Sequence, residues 1–97
     1  MVSVGLTTTD EGALDDWYRT EHIPLLHRIP GWFRTRRYRL TSGAGPALLA
    51  LHEISDLTLF TTLEYREATT TDRRAAVMQH VTRRERRLFA FHRAVTT

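Results

Sequence analysis

The side chains best suited to chemistry crowd into residues 16–31, which hold Asp16, Trp17, Tyr18, Glu21, His22, Pro24, His27, Pro30 and Gly31. Histidine titrates close to neutral pH, so His22 is the leading candidate for a general acid or base. Tyr18 lies four residues earlier, which on a helix sets both side chains on one face. Pro24 disfavours the α conformation at Ile23. His22 is therefore expected at or near a helix C-terminus, where the dipole favours its charged form, or where its ring N–H could simply donate a hydrogen bond to an open carbonyl. Glu21 could orient an imidazole or take a proton, although at a helix end it is expected to be solvated.

Further candidates lie along the chain. His52 has apolar neighbours on its own strand face, Leu48, Ala50 and Ile54, so it is either a satisfied core group or a pocket group; His92 reads the same way. His27 and His80 have surface-like surroundings. Tyr18, Tyr38 and Tyr65 could donate a proton to an enolate or carbonyl oxygen, or could simply satisfy buried hydroxyls. Arg36, on the Tyr38 face of its strand, could hold a carboxylate or enolate, or form an ion pair at a rim. The candidate catalytic set is His22, His52, Tyr18 and Tyr38. The binding set is Trp17, Trp32, Phe33, Arg36, Tyr65 and His92.

Other chemistries lack support. There is no glycine-rich phosphate loop, so no nucleotide cofactor is expected. No His-x-x-x-His or Glu-x-x-His spacing and no cysteine suggests a metal. No serine sits in a nucleophile motif. The expectation is therefore an active site built from protein side chains, without cofactor or metal.

These residues need a scaffold, and 97 residues make one domain over the whole chain, 1–97. Val2, Val4 and Leu6 alternate with Ser3, Gly5 and Thr7, a first strand. Thr8 and Glu11 fit a capping box for a helix over about residues 9–22. Leu25, Leu26 and Ile29 continue the apolar pattern to the turn signal Pro30-Gly31. Residues 32–40 read as the second strand, with Trp32, Arg34, Arg36, Tyr38 and Leu40 on one face and Phe33, Thr35, Arg37 and Arg39 on the other. A loop at 41–46 leads to an apolar third strand at 47–54. Ser55 or Asp56 caps an irregular helical stretch to about residue 68. Thr71 or Asp72 caps a second helix to about residue 82, and residues 87–95 alternate as a fourth strand, although Arg83 to Phe91 could instead extend the helix.

The order is βαββαβ, an α+β ferredoxin-like plan with an antiparallel sheet and helices on one face. Its other face reads as too apolar to stay wet in any register. Pairing two sheets across a two-fold axis solves that, so a homodimer enclosing a dimeric α/β barrel is expected.

Composition narrows the partners. The net charge is +3, and all 14 basic residues are arginine. They fall in scattered pairs, Arg36/Arg37, Arg73/Arg74, Arg83/Arg84 and Arg86/Arg87, which read as solvated faces with surface ion pairs rather than a nucleic-acid patch. The aromatic signature of ferredoxin-like RNA-recognition domains is missing. No apolar run is long enough for a membrane span, and no secretion signal opens the chain, so a cytoplasmic protein is expected.

The run Asp16-Trp17-Tyr18, Glu21-His22-Ile23-Pro24, Ile29-Pro30-Gly31 and Arg36-Arg37-Tyr38 resembles the EthD-like branch of the dimeric α/β-barrel superfamily. The likeness spans about residues 10–54; the later residues agree in element order only. Such relatives hold ligands between sheet and helices, and the histidine after the first helix often faces that pocket, which implies His22 with Tyr18, Trp17 and Tyr38. The superfamily includes cofactor-free monooxygenases, polyketide cyclases, dehydratases, decarboxylases, isomerases and haem-degrading enzymes, and fold does not choose among them. The reading that results is a cofactor-independent enzyme of secondary metabolism. It moves a proton next to a carbonyl in a polyketide-like or aromatic substrate, giving cyclisation, dehydration or isomerisation. A cofactor-free monooxygenase and a non-catalytic ligand-binding or stress-related barrel are the alternatives.

Overall fold

Alternation of apolar and small residues makes β1, Val2–Thr8, the strand around which a four-stranded antiparallel sheet assembles in the order β2-β3-β1-β4. A computed structural model describes residues 1–90. After β1 come α1, Glu11–Trp17, a π-helical turn, Tyr18–His22, and a short α2, Ile23–Leu26. Strands β2, Trp32–Arg39, and β3, Leu48–Ile54, form the hairpin. A 3-10 turn, Leu57–Thr61, α3, Leu63–Ala68, α4, Asp72–Met78, and β4, Val81–Leu88, complete the described chain. This is the expected ferredoxin-like plan.

The helices pack on one sheet face. Leu6, Leu14, Trp17, Tyr18, Ala50 and Val77 form one buried cluster, and Leu26, Ile29, Trp32 and Ala68 a second. Burial of these large apolar side chains supplies most of the driving force. Gly31 has a φ of +93°, and a Cβ there would lie 2.3 Å from Ser55 Oγ. Only glycine meets both demands at the entry to β2.

Several boundaries differ from the sequence expectation. Asp10, not Thr8, caps α1: its carboxylate accepts from the Ala13 N–H at 3.0 Å. Pro24 does not end the helical path. It sits in the first turn of α2, where no helical N–H is needed, so His22 lies inside a continuous helical run. The second helix stops at Met78, and the fourth strand, Val81–Leu88, starts before the expected residue 87; residues 91–95 of that expectation lie outside the described residues. The stop is fixed by the His80 carbonyl, which accepts from the Thr9 N–H at 2.9 Å and the Thr8 hydroxyl at 3.1 Å.

A bulge corrects the reading of β2. Trp32 pairs with Ile54 but Arg34 pairs with Glu53, so Phe33 is an extra residue. Trp32 therefore shares the helix-covered face with Thr35, Arg37 and Arg39, while Arg34, Arg36 and Tyr38 turn to the outer face. That outer face is not uniformly apolar: Leu49 and Leu51 lie between Arg34 and Arg36 on one side and Arg83, Glu85 and Arg87 on the other. Exposed apolar side chains gather instead at one end of the sheet, where Met1, Phe33, Leu57, Leu88 and Phe89 border a groove of about 700 Å³.

Candidate functional site

The π-helical turn shapes the site. It widens the backbone path so that the Ile23 N–H reaches the Tyr18 carbonyl, and such turns recur at functional positions. The Trp17 and His22 rings consequently stack, with centroids 4.2 Å apart and planes at 20°. Tyr18 meets His22 edge-on at 5.0 Å and 84°. The Trp17 indole N–H donates to Glu21 Oε2 at 2.7 Å, and the Thr71 hydroxyl donates to the same oxygen at 2.8 Å. Glu21 is thus neither solvated nor on the imidazole; it ties the indole under His22 to the N-cap of α4.

His22 is 9 % exposed, and its Nδ1 is buried with no hydrogen-bond partner among the described residues. Burial, with the charges of His52, Arg74 and Arg84 adding to it, pushes the imidazole down to about 3. His22 is therefore neutral at pH 7, opposite to the charged helix-end histidine that the sequence suggested. Burial pushes the Tyr18 phenol up to about 12, against the pull of Arg37. Tyr18 keeps its proton and can only donate it or share it. The Arg37 guanidinium lies 4.6 Å over the Tyr18 ring and is held by Asp15 at 2.6 Å.

His52, 2 % exposed, is anchored differently. Its Nδ1 lies 2.8 Å from the Thr35 hydroxyl, which also meets His27 Nε2 at 3.2 Å and Trp32 Nε1 at 3.4 Å. A hydroxyl has one proton and two lone pairs. All three contacts are met when Thr35 donates to His52 and accepts from Trp32 and His27. Burial, then His27, pushes His52 down to about 4. Trp32 stands at 67° to the His52 ring, 5.1 Å away, and stacks at 14° on Tyr65, 6.0 Å away.

These groups enclose one cavity of about 30 Å³ between sheet and helices, bordered by Trp17, Tyr18, His22, Trp32, His52, Tyr65 and, from α4 and β4, Arg74, Arg84 and Arg86. That volume is enough to admit a water-sized group. Tyr18 and Val4 also line a neighbouring cleft of about 210 Å³ along β2, so the Tyr18 side chain is part of the wall between the two spaces.

Of the sequence candidates, His22, His52, Tyr18, Trp17, Trp32 and Tyr65 come together here. Tyr38 and Arg36 do not: the bulge turns both to the outer face, and Tyr38 borders only the β2 cleft. Phe33, 66 % exposed, faces the groove at the end of the sheet. His92 lies outside the described residues. Sequence reasoning missed Thr35, Arg74, Arg84 and Arg86. The β4 alternation holds the signal for two of them, since Arg83 and Arg87 pair with Glu85 on the outer face while Arg84 and Arg86 face the helices. Among the described residues, no three His, Asp or Glu side chains gather where a metal ion could sit, and no helix is long and apolar enough to cross a membrane.

Comparison with known proteins places the fold. Neither a protein-family model nor a curated protein matches the sequence. Among solved structures, an ethyl tert-butyl ether D (EthD) family protein from Bacillus halodurans is similar with a TM-score of 0.50 at 18 % identity, over 92 % of this chain and 97 % of that one. HapK from Hahella chejuensis is similar over the full length of both chains, with a TM-score of 0.52 at 14 % identity. At such identities the likeness shows the fold alone, the ferredoxin-like α+β plan with its four-stranded antiparallel sheet.

Proposed function

We propose that this chain is a cofactor-independent enzyme that moves a proton at a carbon next to a carbonyl in a polyketide-like or aromatic substrate, leading to cyclisation, dehydration or isomerisation. One observation carries the reading: a buried, neutral imidazole with an unpartnered nitrogen borders a cavity between sheet and helices. His22 Nδ1 supplies a lone pair or a proton according to tautomer, and the stacked indole fixes the ring. Tyr18, which holds its proton, donates a hydrogen bond to the oxygen that becomes an enolate. His52, its Nδ1 held by Thr35, is a lesser acid or base, and the Thr35 bridge leads from it to exposed His27, a path for the proton to solvent. Trp17, Trp32 and Tyr65 are the walls. The reacting carbonyl lies between Tyr18 and His22, at the wall that the cavity shares with the β2 cleft, and the rest of the substrate extends along that cleft.

An imidazole at about 3 is a weak base, because the best base titrates near working pH. The enolate's own charge offsets this: a negative oxygen beside His22 favours the protonated ring, so basicity rises as the reaction proceeds. The test is turnover of an unreduced poly-β-ketone by the purified protein and by His22→Ala, read by product chromatography. Loss of turnover in the variant supports the reading, and equal turnover removes it. Oxygen uptake during turnover assigns the cofactor-free monooxygenase alternative instead.

The small cavity favours one other reading, a barrel that binds a ligand without transforming it; ligand binding with no product identifies that case. The homodimer belongs to the same proposal. Phe33, Leu57, Leu88 and Phe89, 66 %, 51 %, 52 % and 51 % exposed, border the end groove, an apolar patch of the kind that marks an interface. Sedimentation velocity giving a monomer at micromolar concentration rejects it.

A further inference from the structure

We infer that the ligand of the His22 cavity carries a carboxylate, bound by Arg74 and Arg84 with Arg86 at the edge. This deepens the proposal above and rests on the same cavity being the site.

Three guanidinium side chains border a space of about 30 Å³ whose lining contains no acidic residue. Four acids elsewhere are engaged with other arginines: Asp15 with Arg37, Glu11 with Arg39, Asp16 with Arg19, and Glu85 with Arg83 and Arg87. Glu21, the acid adjoining His22, spends Oε2 on Trp17 and Thr71. Arg74, Arg84 and Arg86 form no salt bridge among the described residues, and Arg86 lies 4.1 Å over the Phe60 ring instead.

Two buried nitrogens on this lining lack partners, Arg74 Nε and His22 Nδ1. Buried donors are almost always satisfied, and an unsatisfied one needs a reason. Here two lie beside one cavity of positive sign. Arg74 is itself held below its ordinary range by burial and by the nearby Arg84 charge, so the empty arrangement is repulsive and a bound anion relieves it. A carboxylate matches the planar, forked guanidinium. Its charge would also raise the lowered His22 pKa toward neutral pH, so that the imidazole becomes a competent base only with this ligand in place.

The experiment compares 2-acetylbenzoate with its methyl ester, by calorimetry and by NMR of the imidazoles, on the unaltered protein and on Arg74→Gln, Arg84→Gln and the outer-face control Arg83→Gln. The carboxylate is expected to bind at least about tenfold tighter than the ester and to raise the His22 pKa by a unit or more. Arg84→Gln, at a largely exposed position, and Arg74→Gln each reduce the preference to about threefold or less, whereas Arg83→Gln keeps it. Equal binding of ester and carboxylate with movement of the His22 signal overturns the carboxylate but leaves the proton-transfer site standing. So does displacement by inorganic phosphate as effective as displacement by 2-acetylbenzoate. A preference that survives both inner variants, or falls equally in Arg83→Gln, also overturns it. No binding of either compound and no change at His22 overturns both readings.

Discussion

His22 and His52 are both buried and both neutral at pH 7, yet they occupy opposite kinds of surroundings. His52 sits on a strand, and its Nδ1 is taken by Thr35 within a bridge that includes Trp32 and His27. His22 sits in a widened helical turn, braced by an indole face, with Nδ1 open. Burial alone therefore does not mark a reactive histidine, because it lowers the pKa of both. What separates them is whether the fold has already used the ring nitrogen. In β3 and β2 it has; in the π turn it has not.

The largest test of this contrast is kinetic. His22→Asn is expected to slow turnover of a poly-β-ketone by about 10²–10⁴-fold, the usual worth of a positioned acid or base. His52→Asn should slow it by less than about tenfold. The reverse order, read from initial rates, would move the chemistry to β3.

The next effect is on stability against pH. Both folded pKa values lie below the ordinary 6.5, at about 3 for His22 and about 4 for His52. Below pH 6.5 the unfolded chain takes up protons that the folded chain refuses. Stability is thus complete above that pH and is lost as pH falls toward 4 for His52 and toward 3 for His22. Each histidine costs about 1.4 kcal/mol per pH unit inside its window. Urea midpoints between pH 7 and 5 should therefore fall steeply for the wild type and about half as steeply for either His→Asn variant. A flat wild-type profile would show that neither ring is buried neutral.

Thr35→Val sharpens the contrast on a smaller scale. Removing the bridge should cost about 1 kcal/mol in a urea titration and shift the imidazole signals of His52 and His27 while leaving His22 in place. Movement of His22 as well would mean that the two regions are coupled. The smallest effect belongs to His27→Ala at the exposed end of the bridge, below about 0.5 kcal/mol by the same titration.

Much of this was legible in the chain. Strand alternation in Val2, Val4 and Leu6, the Pro30-Gly31 turn and the apolar third strand located the sheet, and Thr71 capped its helix as expected, its hydroxyl accepting from the Arg74 N–H at 3.1 Å. The pairing of Tyr18 with His22 was readable from spacing, but the stacking of Trp17 on His22 was not, because five residues meet only in a π turn. Pro24 misled, since proline both ends helices and opens them. The fourth strand was displaced because arginine occupies both faces of β4 and blurs a period of two. Arg84 and Arg86 read as solvated for the same reason, and Arg74 because a helical arginine ordinarily faces water: sequence shows charge, and only the fold shows which side it takes.

The extra residue at Phe33 has an evolutionary consequence. Because two residues of β2 oppose one of β3 there, loss of position 33 would leave Trp32 beside His52 and Arg34 on the far side, while removing one aromatic from the end groove. A lineage could therefore gain or lose this residue, and change what the end groove meets, without moving Trp32 off the wall of the chamber beneath.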